Sequence, residues 1–499
     1  MKLKKLLTAV SISYVLLMFA NLLGYLSRVF FARVFTTTEY GMFYSIIGFF
    51  AFFTIFRSLG FDSSLVHFTS KYVKEKTWKR FKYAVKYVFK FQMILGLIFA
   101  AVFFILSRQV AIHFFHSADV TVLLRIHAIT FFVIGFARFF DMVFKGLQNY
   151  VVSALYDGAR LMFVMIVSVV LWKFDMLNVK TLLIVWLGGY LFLILVYQLF
   201  FIPYYKKFWS TENKSFVGVK SELRKYAIPL MLGVGAEIIL SKSDVLILTF
   251  FKDFSQVALY EIAFPSSRIL LLFGSSFVLF LFPMVSKLHF DKSSNTIKDI
   301  LSFIYNSGLF MIAPLMIILV SYPDIIIRLI FSEKYLAAST AIQIFTIGVF
   351  FLVFAQVNFN VLAGIGEIKK KTQILYGVAI FNVIFDILLI PSLGFLGAVI
   401  VTSVSYFFMW LLSYFLCVKK IPNFRLKVFP VVKILICSGA FILSMFLLKH
   451  FITGINVFAE AIIVAVVSFG VYGILGLILR VVDIKKAMQM YRAAVRQKG

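Results

Sequence analysis

The sequence predicts an all-α polytopic membrane protein, and three observations carry that expectation. Hydrophobic residues make up 62% of the 499 positions and charged residues only 14%. A soluble domain is roughly half apolar and a quarter charged, so a water-soluble chain could not hide this much apolar surface. The apolar runs are about twenty residues long, the length a helix needs to cross the hydrocarbon core. Barrel strands are shorter and alternate apolar with polar residues. In lipid each backbone polar group must be satisfied within its own segment, which then leaves helices.

Apolar runs between charged or turn-rich breaks give about fourteen spans: 6–34, 41–66, 84–107, 121–144, 151–172, 181–203, 223–250, 257–285, 300–321, 338–363, 373–390, 394–417, 431–449 and 457–479. The first run follows Lys2, Lys4 and Lys5, as a secretory signal would. It continues past Leu22 to Val29 without a clear small-residue cleavage site, so it is expected to be a true first helix. The softest division is Pro391-Ser392-Leu393, between the eleventh and twelfth runs.

The basic residues set the orientation. With the N-terminus in the cytoplasm, 35 Lys and Arg fall in inward segments, 9 in outward segments and 6 inside the spans. Cytoplasmic loops carry the excess of positive charge in membrane proteins, and an odd helix count would scramble this alternation. An even count with both termini inside follows. The net charge of +29 then reflects anionic lipids of the inner leaflet as partners and calls for no nucleic acid. Two basic segments have the pattern of helices lying on the cytoplasmic surface or docked on the protein's own cytoplasmic face: Lys71 to Lys82, with Tyr72, Trp78 and Phe81, and the tail, with Val481, Ile484, Met488, Tyr491 and Val495.

The two halves align at a shift near 217 residues. Tyr40-Gly41 meets Val257-Ala258, Ser70-Lys71 meets Ser286-Lys287, and Gly146-Leu147 meets Gly364-Ile365. Each match is short, but the shift is constant across three helices. Six helices return a chain to its starting side, so the halves read as parallel repeats, a common transporter plan with the substrate path between the lobes. The expected domains are a six-helix lobe over 1–203, a cytoplasmic linker over 204–222, a second six-helix lobe over 223–417, and helices 13 and 14 with a basic tail over 418–499.

Charged side chains inside the spans mark candidate sites, because each costs at least about 2.5–3.5 kcal/mol at the bilayer centre. Arg28, Arg57 and Arg268 read as lining a polar cavity, with Lys242 a further candidate for substrate binding. Arg138, Asp141, Asp157, Arg160 and Asp244 read as a gate or ion-pairing set, since Arg138–Asp141 and Asp157–Arg160 are i,i+3 pairs on helices. Asp386 stands by itself in the eleventh run. Cys417 and Cys437 are too few for a disulfide framework, and no His or Cys spacing suits a metal. No cofactor motif appears, and no extramembrane loop is large enough to hold an enzyme's catalytic residues.

Several local segments carry a family resemblance. They are Ser27-Arg28-Val29-Phe30-Phe31-Ala32-Arg33 at the end of helix 1, Tyr40-Gly41 and Arg57-Ser58-Leu59-Gly60-Phe61 bounding helix 2, Ser243-Asp244-Val245-Leu246-Ile247-Leu248 in helix 7, and Gly146-Leu147-Gln148 after helix 4. Together with a 6+6+2 helix plan, they resemble the polysaccharide repeat-unit flippases of the multidrug/oligosaccharidyl-lipid/polysaccharide exporter superfamily. The helix 1 segment is also similar to the lipid II flippases, where arginines of helices 1, 2 and 8 line a cationic cavity; Arg28, Arg57 and Arg268 occupy comparable helices. The resemblance implies a transporter, not an enzyme, that moves a lipid-linked oligosaccharide to the outer leaflet of the cell membrane. Its partners would be the lipid-linked glycan and glycan-assembly enzymes. A rival within the superfamily is a cation-coupled multidrug exporter. Those exporters place a carboxylate in helix 1, and residues 6–34 contain no Asp or Glu.

Overall fold

The computed structural model describes residues 2–210, 216–426, 428–451 and 457–481. These residues form eighteen α-helices and one 3-10 turn, with no strand among them. Twelve helices are long and apolar enough to cross a membrane among the described residues. Two further expected spans differ from these for identifiable reasons. The span 223–250 is one 35-residue helix, long enough to cross, but it carries Glu237, Lys242 and Asp244. The span 257–285 is broken in two. The basic tail beyond Val481 lies outside the described residues.

One compact unit comprises residues 1–261 with 383–398. It holds α1 (Lys2–Val34), α2 (Thr37–Ser58), α3 (Phe61–Lys74), α4 (Trp78–Ile105), α5 (Ser107–His113), α6 (Val120–Gly146), α7 (Tyr150–Lys173), α8 (Val179–Ser210) and α9 (Val217–Phe251). The larger part of α10 (Phe254–Ser267) belongs to it as well. A capping box starts α2: the Thr36 hydroxyl accepts from the Glu39 amide while the Glu39 carboxylate accepts from Thr36 N–H. The expected span 41–66 does not run as one helix. Leu59 and Gly60 adopt positive φ, 43° and 78°, and a Cβ on Gly60 would collide with the Ala227 carbonyl of α9. The chain therefore turns there and restarts as α3.

The basic segment Lys71 to Lys82 is likewise not a surface helix. It is the corner between α3 and α4, reversed through Lys76 at φ 57°, and Tyr72 and Phe81 are buried in the unit's core. The Tyr72 hydroxyl donates to the Glu222 carboxylate at 3.1 Å. Burial and that carboxylate push the phenol well above its ordinary range, so it stays a donor. Its aromatic residues pack inward, which is why an amphipathic pattern in the sequence resembled a lipid-facing one.

The second unit comprises residues 262–382 and 399–499. It holds α11 (Leu270–Phe290), α12 (Ser294–Ser321), α13 (Pro323–Ile330), α14 (Ser339–Gly364), most of α15 (Ile368–Leu393) and α16 (Phe395–Lys420), then α17 (Val428–Phe451) and α18 (Val457–Ile478). The break between α10 and α11 falls at Arg268-Ile269, three residues after Pro265. A buried polar chain fixes α12, α14 and α16. Tyr305 donates to Asn358 Oδ1 at 2.9 Å, Asn358 Nδ2 donates to Ser413 Oγ at 3.1 Å, and Trp410 Nε1 donates to the Tyr305 oxygen at 3.3 Å.

The internal repeat is visible inside each unit. A Cβ on Gly146 at the end of α6 would run into the Thr69 side chain and lie 3.9 Å from Ser70 N. A Cβ on Gly364 at the end of α14 would meet Val285 at 2.7 Å and Ser286 N at 3.2 Å. The aligned glycines thus press on Thr69 and Val285, each the residue before an aligned serine, Ser70 and Ser286. Short helices α5 and α13 also occupy matching places, before α6 and α14.

Candidate functional site

Arg57 lies in the last turn of α2 and is only 5% exposed. Its aliphatic stem fits a slot left by two glycines: a Cβ on Gly135 of α6 would stand 3.3 Å from Arg57 Cδ, and one on Gly96 of α4 3.7 Å. The guanidinium donates to the Phe131 carbonyl at 3.2 Å and lies 5.2 Å from the Phe131 ring centre. Among the described residues it makes no ion pair. A carbonyl and an aromatic face are a modest return for a buried guanidinium, which would bind an anion well.

Arg28 is different. Its Nη1 meets Glu261 Oε2 at 2.7 Å, and its guanidinium lies 4.4 Å above the Tyr44 ring. Glu261, 233 residues away on α10, neutralises a charge that the sequence left open. The missed signal was that the span 257–285 contains an acid with no basic residue at i±3 or i±4 on its own helix.

A mixed-charge cluster occupies the same unit. Arg138 approaches Asp62 at 4.0 Å and Asp141 at 3.4 Å, and Lys145 meets Asp141 at 2.9 Å. Ser153 Oγ donates to Asp141 at 2.5 Å, and Gln92 Nε2 donates to Asp62 at 2.7 Å. Arg160 Nη2 donates to Asp157 at 3.0 Å, while its plane lies 4.7 Å from Trp186 and 4.8 Å from Tyr190. Arg138 lies 5.3 Å from Tyr156. The i,i+3 pairs expected from the sequence are made. Asp62 and Gln92, brought from α3 and α4, were not legible as members.

On α9, Asp244 is buried and accepts a short hydrogen bond from Tyr260. The Asp386 carboxylate on α15 is close enough to interact with it electrostatically, with both its oxygens buried and without a hydrogen-bond partner among the described residues. Asp386 is therefore not solitary, although 142 residues of chain separate the pair. Lys242 is half-buried two residues before Asp244. In the second unit, Arg268 is half-buried at the helix break, 4.7 Å from the Phe264 ring centre.

The fold places the chain in a class. Its structure matches that of "Lipid II flippase MurJ, inward closed conformation" with a TM-score of 0.74 at 17% identity, covering 94% of this chain and 98% of the other. It also matches an inward-facing multidrug resistance MATE family transporter of the MOP superfamily, with a TM-score of 0.65 at 12% identity, covering 83% and 98%. The chain shares the fold of these two proteins. In sequence, the family described as "Polysaccharide biosynthesis protein" matches residues 6–289. "Uncharacterized membrane protein MJ1068" of Methanocaldococcus jannaschii is 30% identical over 482 residues, covering 93% of this chain and 94% of that protein. The chain belongs to the polysaccharide biosynthesis protein family, as its resemblance to the repeat-unit flippases implied.

Proposed function

We propose that this protein flips a lipid-linked oligosaccharide, carried on polyprenyl phosphate or diphosphate, from the cytoplasmic to the outer leaflet. The observation that carries the reading is Arg57, a buried guanidinium that makes no ion pair among the described residues, in a chain of the polysaccharide biosynthesis family. A sugar chain and a phosphate head cannot cross hydrocarbon unaided. The protein must offer them polar, cationic surroundings that open to each side in turn, while the lipid tail stays in the bilayer. Alternating access between lobes 1–203 and 223–417, with Arg28, Arg57, Arg268 and Lys242 on the substrate path and both termini in the cytoplasm of a plasma membrane, completes the proposal.

The test is transport of a fluorescent polyprenyl-diphosphate oligosaccharide by the reconstituted protein. Translocation well above that of empty vesicles is expected. Rates equal to those of empty vesicles would overturn the proposal. A second reading, cation-coupled drug export, draws support from the neighbouring carboxylates Asp244 and Asp386. Against it, helix 1 supplies Arg28 and no acid. Export of cationic dyes by the same vesicles, with no movement of the glycolipid, would favour it.

A further inference from the structure

Four helices of the first unit, α3, α6, α7 and α8, bring together a patch that anion binding alone does not explain. Around Tyr156, Trp186 and Tyr190 stand two arginines, Arg138 and Arg160, interleaved with the carboxylates of Asp62, Asp141 and Asp157. A bare phosphate would meet three carboxylates here. A sugar ring suits the same groups. Its hydroxyls both donate and accept, so guanidinium and carboxylate groups serve it equally. Its apolar C–H faces lie flat on aromatic rings, which bring large, rigid surface.

Two details show a site with unused capacity. Arg160 is 6% exposed, yet its Nε and Nη1 have no hydrogen-bond partner among the described residues. Buried donors left unmet cost free energy, and a ligand oxygen would satisfy them. Meanwhile Asp157 is 52% exposed and Arg138 40% exposed on their side chains, so the cluster is buried at Arg160 and open beside it. Gly189 of α8 makes the arrangement possible: a Cβ there would stand 2.8 Å from Val164 and 3.3 Å from Arg160 Cγ.

We propose that Asp62, Arg138, Asp157 and Arg160, with the half-buried rings of Tyr156 and Trp186, form a sugar subsite that holds a ring of the head-group glycan. This rests on the flippase reading and assigns the sugar a place beside that of the diphosphate at Arg57.

The experiment compares two probes on the full-length protein in lipid nanodiscs: polyprenyl diphosphate, and the lipid-linked oligosaccharide pool extracted from the source cells. The wild type is expected to bind the glycosylated lipid about tenfold more tightly, the size of one or two well-made hydrogen bonds. Arg160→Ala and Trp186→Ala should bring that ratio near one while leaving polyprenyl diphosphate affinity unchanged, which also certifies their fold. Trp186→Phe should keep most of the preference because it keeps an aromatic face. Asp157→Asn, at a half-exposed position, should lower the ratio severalfold without emptying the core. A wild-type ratio near one, or variants that keep the full preference, would reject the subsite and leave the flippase reading standing. Binding of neither lipid would reject both.

Discussion

At the scale of the residue, Arg57 and Arg28 pose the same electrostatic problem and solve it differently. Arg57 rests on a carbonyl and a phenyl face, Arg28 on the carboxylate of Glu261. Substrate anions would therefore bind Arg57 directly but compete with Glu261 for Arg28. Arg57→Ala should lower transport about ten- to hundredfold, the worth of a lost charge-assisted contact, at matched membrane levels. Arg57→Lys should recover only part, since an ammonium lacks the planar fork. Normal transport by Arg57→Ala would place the site elsewhere. Glu261→Gln removes the competing charge and should tighten polyprenyl diphosphate binding while slowing turnover; unchanged affinity would mean that Arg28 does not reach the ligand. At Asp244 and Asp386, two neighbouring carboxylates in a membrane interior repel unless a proton or cation joins them. Replacing either with Asn should leave transport intact if membrane potential drives it. Sodium-dependent transport that both substitutions abolish would locate the coupling ion there.

At the scale of the element, close approach is set by glycines. A Cβ on Gly41 of α2 would collide with the Phe254 carbonyl at the start of α10, and one on Gly48 would stand 2.7 Å from Val245 of α9. Nothing lies within 4 Å of a Cβ built on Gly377 or Gly439. Gly41→Ala and Gly146→Ala are thus expected to cost about 1–3 kcal/mol each through overpacking, read as a lower melting temperature in detergent, while Gly377→Ala and Gly439→Ala should not. Equal tolerance at all four would contradict the packing. Helix positions were legible because lipid enforces long apolar runs: the end of α14 at Gly364 and of α6 at Gly146 fall within a few residues of expectation. The breaks at Leu59-Gly60 and Arg268-Ile269 were not, because hydropathy is blind to backbone dihedrals and both breaks lie inside apolar stretches. Of the candidate site, the i,i+3 partners could be read because they share a helix. Glu261, Asp62 and the Asp244–Asp386 pairing could not, since their meeting depends on tertiary packing.

At the scale of the whole molecule, the basic loops and the even span count predict sidedness. Native Cys417 and Cys437 are both buried, so introduced thiols should report with little background. Lys173→Cys and Ser332→Cys should label from outside intact cells with a membrane-impermeant maleimide, and Lys76→Cys and Ser293→Cys should not. External labelling at Lys76 would invert the arrangement.

The long-range composition of the first unit also bears on how the protein is made. A ribosome releases α1 through α8 before α9 and the segment 383–398 exist, though both belong to the same packed unit. At about 5–20 residues per second, the last of that segment follows residue 210 by about 10–40 seconds. Until α10 ends at Ser267, about 3–11 seconds after residue 210, the face around Gly41, Gly48 and Gly60, which α9 and α10 later cover, must be shielded by lipid or by the insertion machinery. Asp244 enters the bilayer with Tyr260 only 16 residues behind it, so the tyrosine hydroxyl is its first companion. Asp386 arrives after a further wait of about 6–25 seconds, and biogenesis must hold a half-built polar centre in the membrane until then.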